Sequence, residues 1–227
     1  MQVTTTDSRG VYRIDPYSYK RPSENVWTKT IKRVNILEDV NLAINKGELI
    51  GIMGPNGSGK SMLLRTIVGL TTYNSGTVSV DEQIIGKDIE HPLSVGILIE
   101  HPVFINELTA FENLKMLALI KNVISSKQIE ESLKLIGLED ARNIRVKNFS
   151  LGMKQRLGLA QALMESPDLL VLDEPTNALD EEGIELIKTI LLTEKKKGTT
   201  IIITSHDKGF IEQISDTTVR ISEGKMK

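Results

Sequence analysis

The chain of 227 residues contains no cysteine, one tryptophan and only 4% aromatic residues. The absence of cysteine excludes disulfide bonds and thiolate metal sites. The sequence also has no run of 18 apolar residues and no signal-peptide core, so we expect a soluble, cytosolic chain that needs another polypeptide for any work in a membrane. The formal net charge is only −2, and we therefore expect no nucleic-acid partner.

Apolar residues make up 40% of the chain, which is enough for the core of one α/β domain. Short apolar runs alternate with helical periodicity, and this alternation predicts a mostly parallel sheet. We predict two strands around a turn over residues 24–46 and an inserted helical subdomain over roughly 101–147. Residues 1–22 are treated as an N-terminal extension of a domain that spans 23–227.

A glycine-rich segment, GPNGSGKS, follows an apolar strand and precedes a helical pattern. Glycines let several backbone N–H groups face one anion, and a helix N-terminus adds its positive dipole end there. Lys60 would neutralise the outer phosphates and the Ser61 hydroxyl would ligate Mg²⁺, so the segment predicts a site for a nucleoside triphosphate. The alternative is a tight turn with an incidental lysine. The predicted ATP-binding residues are Gly54, Pro55, Asn56, Gly57, Ser58, Gly59, Lys60, Ser61 and Met62.

Two carboxylates and a histidine are predicted to complete this site. Asp173 and Glu174 follow the apolar run Leu169–Leu172, and His206 follows the run Thr200–Thr204. Because ligands gather at the carboxyl ends of parallel strands, we expect all three side chains at one edge of the sheet. Asp173 would hold Mg²⁺, and Glu174 would act as general base toward the water that attacks the γ-phosphate. His206 would bridge the γ-phosphate and Glu174.

These segments together resemble the motifs of the ABC-type ATPases, in the order that this family shows. Gly54–Ser61 resembles its Walker A motif, and Leu169–Glu174 resembles its Walker B motif. Phe149–Arg156, which reads FSLGMKQR, resembles the ABC signature, although Leu151 replaces a glycine and Met153 replaces a glutamine. Asn177–Asp180 is similar to the D-loop, with Asp180 at its end, and His206 is similar to the switch histidine. The resemblance implies a P-loop NTPase of the RecA-like type with an antiparallel β edge.

The resemblance further implies a head-to-tail pair of ATPase subunits, either two copies or this chain with a paralogue, around two Mg-ATP. Ser150, Leu151, Gly152 and Met153 would face the ATP held by the partner, with the Ser150 hydroxyl and the Gly152 N–H on the γ-phosphate. The pair would drive transmembrane permease subunits, so that the chain would lie peripherally on the inner face of the cell membrane.

Two positions depart from the family pattern near the nucleotide. Glu100 occupies the place of the usual Q-loop glutamine, and we expect it to act as a Mg²⁺ ligand that tunes the Mg²⁺ requirement. Ile31 occupies the place of the aromatic residue that stacks on adenine; Trp27 or a tyrosine between residues 12 and 19 would be a substitute. Without a substitute, base preference is expected to be weak.

The segment SLGMKQR and the pair Ile99-Glu100 resemble the corresponding segments in the ATPase subunits of exporters for bacitracin- and lantibiotic-type peptide antibiotics. This resemblance implies a related cargo, although the fold alone does not fix a substrate. Two alternatives stay open. One is a soluble ABC ATPase of DNA repair or translation, and the other is a nucleotide-gated interaction module that does not hydrolyse ATP.

Overall fold

The computed structural model describes residues 11–24 and 31–227, which form two β-sheets and the helices around them. The strands are β1 (Val11–Glu24), β2 (Ile31–Asn45), β3 (Leu49–Met53), β4 (Val78–Val80), β5 (Gln83–Ile84), β6 (Val95–Leu98), β7 (Leu169–Asp173), β8 (Thr200–Ser205), β9 (Thr217–Ser222) and β10 (Lys225–Met226). The helices are α1 (Lys60–Ile67), α2 (Ala110–Lys121), α3 (Ser126–Leu135), α4 (Leu151–Leu163), α5 (Glu181–Lys196) and α6 (Lys208–Ile214), with a 3-10 turn at Val146–Asn148. Within the described ranges, no helix is long and apolar enough to cross a bilayer.

The larger sheet has the strand order β10-β9-β3-β8-β7-β6, and only the pairing of β10 with β9 is antiparallel. Its central strands are buried on both faces, which explains their continuous apolar sequences. In β7, Leu170 and Leu172 belong to the core on the side of α2 to α6, whereas Leu169 and Val171 belong to the core on the side of α1. The predicted α/β fold with a mostly parallel sheet is therefore confirmed.

The smaller sheet is antiparallel, with the order β2-β1-β4-β5, and it corrects one of our predictions. The prediction divided residues 24–46 into two strands around a turn, whereas β2 is one strand over Ile31–Asn45 that pairs with β1; residues 25–30 lie outside the described part. Strand β2 contains an irregularity, where Asp39 has a φ of 52° and the register shifts between the pairs Tyr17–Val40 and Tyr19–Leu37. The predicted boundary after residue 22 also falls inside β1, so part of the predicted extension belongs to this sheet.

Side chains cap the N-termini of helices α2 to α6. The spacing of Ser125 and Gln128 is that of a capping box, and the two residues form one at the start of α3, with the Ser125 N–H donating to Gln128 Oε1 over 2.9 Å. Helix α4 starts at Leu151, where the Ser150 hydroxyl accepts a hydrogen bond from the Met153 N–H. Helix α6 was missed, although Asp207 caps it by accepting from the Phe210 N–H.

The Asp216 carboxylate, which directly precedes β9, is hydrogen-bonded to Leu49 at the amino end of β3. The Leu49 N–H donates to Asp216 Oδ2 over 2.9 Å, the Asp216 N–H donates to the Leu49 carbonyl over 2.8 Å, and the Lys195 ammonium donates to Asp216 Oδ1. Partial burial by itself would raise the pKa of Asp216, but the hydrogen bond from Leu49 and the Lys195 charge outweigh it and lower that pKa below 3.8.

We predict that Asp216→Asn lowers the free energy of unfolding by about 1 kcal/mol at pH 7, a value reduced because the carboxylate is partly exposed. Since the folded-state pKa lies below the unfolded one, the carboxylate stabilises the fold above about pH 4 and this contribution is lost as the pH falls through the folded pKa. Urea unfolding at several pH values measures the difference. The exposed Asp140→Asn variant is the control, and a gap between Asp216→Asn and wild type that stays constant down to pH 3 would contradict this explanation.

Candidate active site

The segment between β3 and α1 wraps tightly, and two of its glycines are required by contacts. Gly59 has a φ of 107°, and a Cβ there would lie 2.7 Å from Leu37 Cδ2. A Cβ at Gly54 would lie 2.2 Å from the Ile221 carbonyl oxygen. The loop therefore packs closely against β2 and the end of β9. Helix α1 begins at Lys60. The predicted strand, turn and helix arrangement is confirmed.

Lys60 and Ser58 present the polar groups of this loop. The Lys60 ammonium is 7% exposed, donates to the Gly54 carbonyl over 2.7 Å and lies 3.5 Å from Glu174 Oε1. Ser58 Oγ is buried without a hydrogen-bond partner, a costly arrangement that an anionic oxygen in the loop would relieve. Together with Asn56, Ser61 and Met62, these residues line a cavity of about 250 Å³, which fits the phosphates of a nucleotide.

Oxygen ligands suitable for Mg²⁺ lie at the mouth of the same cavity. Ser61 Oγ donates to Asp173 Oδ2 over 2.5 Å, and the buried Thr204 hydroxyl donates to Asp173 Oδ1 over 2.6 Å. Thr204 thus orients one oxygen of Asp173 while the other faces Ser61. A hydroxyl and a carboxylate side by side are the protein ligands that Mg²⁺ takes beside a triphosphate, so the pair fits this ion.

Glu174 and His206 come together at the carboxyl ends of β7 and β8, as predicted. His206 Nδ1 lies 2.8 Å from Glu174 Oε2, and the His206 backbone N–H donates to the same oxygen over 3.2 Å. Because an ionised carboxylate only accepts, this contact places a proton on Nδ1. Glu174 has a φ of 48°, and its backbone is held by the Thr204 hydroxyl and the Gln155 side chain. Its carboxylate is consequently aimed into the cavity next to Lys60.

The segment Ser150–Met153 lies at the exposed N-terminus of α4, close to the turn before α5. A Cβ at Gly152 would lie 2.8 Å from the Ala178 carbonyl oxygen, so these two segments approach each other closely. Leu151 is 58% exposed. Asp180 accepts a hydrogen bond from the Gly183 N–H and caps α5. Free N–H groups and a serine hydroxyl at a helix start suit an anion, here one presented from outside the chain.

Glu100 is not brought to the Asp173–Ser61 pair. Its side chain is 58% exposed, and its carboxylate forms an ion pair with the Arg65 guanidinium, with 2.6 Å between Arg65 Nη2 and Glu100 Oε1. Glu100 does line a groove that also contains Gln155, Asp173 and Glu174, so its predicted metal role stays a prediction.

The adenine side of the site is only partly described. Ile31 begins β2, but its side chain lies outside the described part, as do Trp27 and the side chains of the tyrosines between residues 12 and 19. Ile36 lines the cavity of the phosphate-binding loop and was not predicted from the sequence.

Gln155 and Thr204 were also missed as site residues. Thr204 could have been found, because a hydroxyl at the end of an apolar strand beside the ligand edge is a recognisable signal. Gln155 lies near the end of the signature-like segment Phe149–Arg156, two residues after Met153, and no local pattern distinguishes its role from that of any other polar residue in a helix.

The family model for ABC transporter proteins matches residues 37–177. The chain is 44% identical over 200 residues to an ABC transporter ATP-binding protein of Bacillus subtilis, YybJ, and the match covers 88% of this chain and 92% of that protein. It is 38% identical over 199 residues to the lantibiotic transport ATP-binding protein SrtF of Streptococcus pyogenes, covering 87% and 85% of the two chains. It is 38% identical over 210 residues to the bacitracin transport ATP-binding protein BcrA of Enterococcus faecalis, covering 92% and 68%.

Among solved structures, the chain is similar to the dimeric structure of MJ0796, a bacterial ABC transporter cassette. The TM-score is 0.83 at 27% sequence identity, and the match covers 95% of this chain and 96% of that chain. The similarity therefore extends over both sheets and the helices between β6 and β7.

Proposed function

Because this chain belongs to the ABC transporter family and is an ATP-binding, ATP-hydrolysing subunit of it, we propose how its site works and which transport it drives. The observation that carries the proposal is the placement of Glu174. Its carboxylate contacts His206 at 2.8 Å, lies 3.5 Å from Lys60, and lines the same cavity as Ser61 and Asp173.

In this proposal, each residue of the cavity has one task. The N–H groups of residues 56–60 and the Lys60 ammonium bind the phosphates of ATP. Ser61 and Asp173 would hold Mg²⁺, and this ion would supply positive charge beside the phosphates. Glu174 accepts a proton from the attacking water, and His206 keeps the Glu174 carboxylate in position through Nδ1.

Two ATPase subunits are needed to complete the proposed site. Ser150 and Gly152 lie at the N-terminus of α4 and are not among the residues that line the Lys60 cavity, and Leu151 between them is exposed. These donors would contact the γ-phosphate held by a partner subunit, so that ATP joins the pair and hydrolysis releases it. The partner is a second copy or a paralogue, and the dimeric MJ0796 structure supports this arrangement.

We propose that the pair drives transmembrane permease subunits from the cytoplasmic face of the membrane and exports a peptide antibiotic or a related cargo. The relatives SrtF and BcrA, which are lantibiotic and bacitracin transport proteins, support this cargo class. Against a soluble role in DNA repair or translation, the chain offers no basic stripe and no sustained heptad repeat.

A resistance assay tests the transport role. A candidate permease is a multi-span membrane protein encoded next to the gene of this chain, and cells that express both proteins should tolerate severalfold more bacitracin or lantibiotic than cells that carry the Glu174→Gln variant. The two proteins should also co-purify from detergent. Equal tolerance of both strains, with the two proteins co-purified, would reject this cargo class, and failure to co-purify would reject the coupling itself.

A further inference from the structure

The carboxylate that replaces the usual glutamine is held by an arginine of the phosphate-binding helix. The Arg65 guanidinium and the Glu100 carboxylate form an ion pair, with 2.6 Å between Arg65 Nη2 and Glu100 Oε1. Both side chains are partly exposed, at 38% and 58%, so the pair is weak enough to be broken by a competing cation. The Glu100 backbone has a φ of 60°, an uncommon conformation for a non-glycine residue.

Arg65 and Ser61 lie on the same face of α1, since they are four residues apart in a helix. Side chains with this spacing are neighbours, with about 5–6 Å between Cβ atoms. Ser61 is the residue that bonds to Asp173 at the proposed metal position. The Glu100 carboxylate therefore has a cationic partner one helical turn away from the site that it is expected to serve.

Glu100 also stands between two cavities of the protein. On one side, a groove of about 460 Å³ runs past Glu100 and Gln155 to Asp173 and Glu174. On the other side, Arg65 lines a separate cavity of about 480 Å³. His101 lines both. Each member of the ion pair thus lines one of the two cavities, Glu100 the groove that leads to Asp173 and Glu174 and Arg65 the other one.

We propose that Arg65 is a positioning residue that holds the Glu100 carboxylate away from the metal position, so that Mg²⁺ and Arg65 compete for it. The inference rests on the proposed role of Glu100 as a Mg²⁺ ligand. A glutamine in this place has no net charge and forms only a weak bond to an arginine, so the competition is a consequence of the carboxylate. Arg65 would then set the Mg²⁺ concentration at which nucleotide is bound in the productive form.

A double-mutant cycle tests this inference. The readout is the Mg²⁺ concentration that gives half-maximal binding of a fluorescent ATP analogue that is not hydrolysed. Since exposed ion pairs contribute little, Arg65→Met should lower this concentration by about two- to fivefold. The same substitution in a Glu100→Gln background should change it by much less, because the carboxylate that Arg65 restrains is gone.

The matched control is Arg142→Met, which removes another exposed arginine that bonds to a glutamate, Glu130, over 2.8 Å. This variant should leave the Mg²⁺ requirement unchanged. An equal shift from Arg65→Met in both backgrounds would overturn the inference, since it would mean that the arginine acts only through its charge. No shift in the wild-type background would overturn it as well. If Glu100→Gln by itself left the Mg²⁺ requirement unchanged, the proposed metal role of Glu100 would fall first.

Discussion

The Glu174→Gln variant is expected to hydrolyse ATP about 10²- to 10⁴-fold more slowly than the wild type, while it binds Mg-ATP with similar affinity. The amide keeps the size of the side chain and can still contact His206, but it cannot accept the proton of the attacking water. Because the ATP-bound state is no longer consumed, the variant should accumulate as a dimer. Phosphate release and light scattering with Mg-ATP measure the two effects.

The control for this prediction is Glu212→Gln, which changes an exposed carboxylate of α6 that pairs with Lys208. Its hydrolysis should match that of the wild type. Hydrolysis by Glu174→Gln within tenfold of the wild-type rate would contradict the role of Glu174 as general base. A rate that falls only because nucleotide binding is lost would show instead that Glu174 acts in binding.

Lys60→Met is expected to weaken binding of Mg-ATP by about 30-fold or more, since truncating one partner of a buried charged contact costs at least about 2 kcal/mol. Lys60 is a buried cation inside the cavity, where the carboxylates of Asp173 and Glu174 would otherwise repel the phosphates. Titration with a fluorescent ATP analogue measures the affinity, and circular dichroism shows whether the variant is folded.

Lys127→Met serves as the comparison, because Lys127 is 84% exposed and pairs with Glu131 on the surface of α3. It should bind nucleotide as the wild type does. If a folded Lys60→Met protein bound Mg-ATP as tightly as Lys127→Met, the assignment of the phosphates to this loop would be wrong.

Much of the site could be predicted because its parts are local. The phosphate loop is defined by glycines that its own backbone requires, and the strand before Asp173 is recognisable from apolar residues that both faces of the sheet bury. The carboxyl ends of parallel strands lie at one edge of a sheet, so the sequence alone predicts that Glu174 and His206 are neighbours. These predictions depended on patterns within a few residues of each other.

The parts that were wrong or missed depend on partners distant in sequence. Nothing in the sequence around β2 shows that β1 pairs with it over Ile31–Asn45, so this single strand was not predicted as one element. The ion pair of Glu100 with Arg65 joins the segment after β6 to α1, and only the fold brings these two residues together. Gln155 likewise acquires its contact with Glu174 only when α4 packs against the end of β7.

The measurement that tests the account most directly mixes two inactive variants. Lys60→Met binds ATP weakly and has no lysine to neutralise its phosphates but offers an intact Ser150, whereas Ser150→Arg binds ATP but blocks the donor face. A mixed pair has one complete site, formed by Lys60 of one subunit and Ser150 of the other. The account predicts that an equimolar mixture regains ATP hydrolysis, up to about one quarter of the wild-type rate if pairing is random and the sites are independent. Activity that never exceeds the sum of the two separate variants would contradict a site shared between subunits.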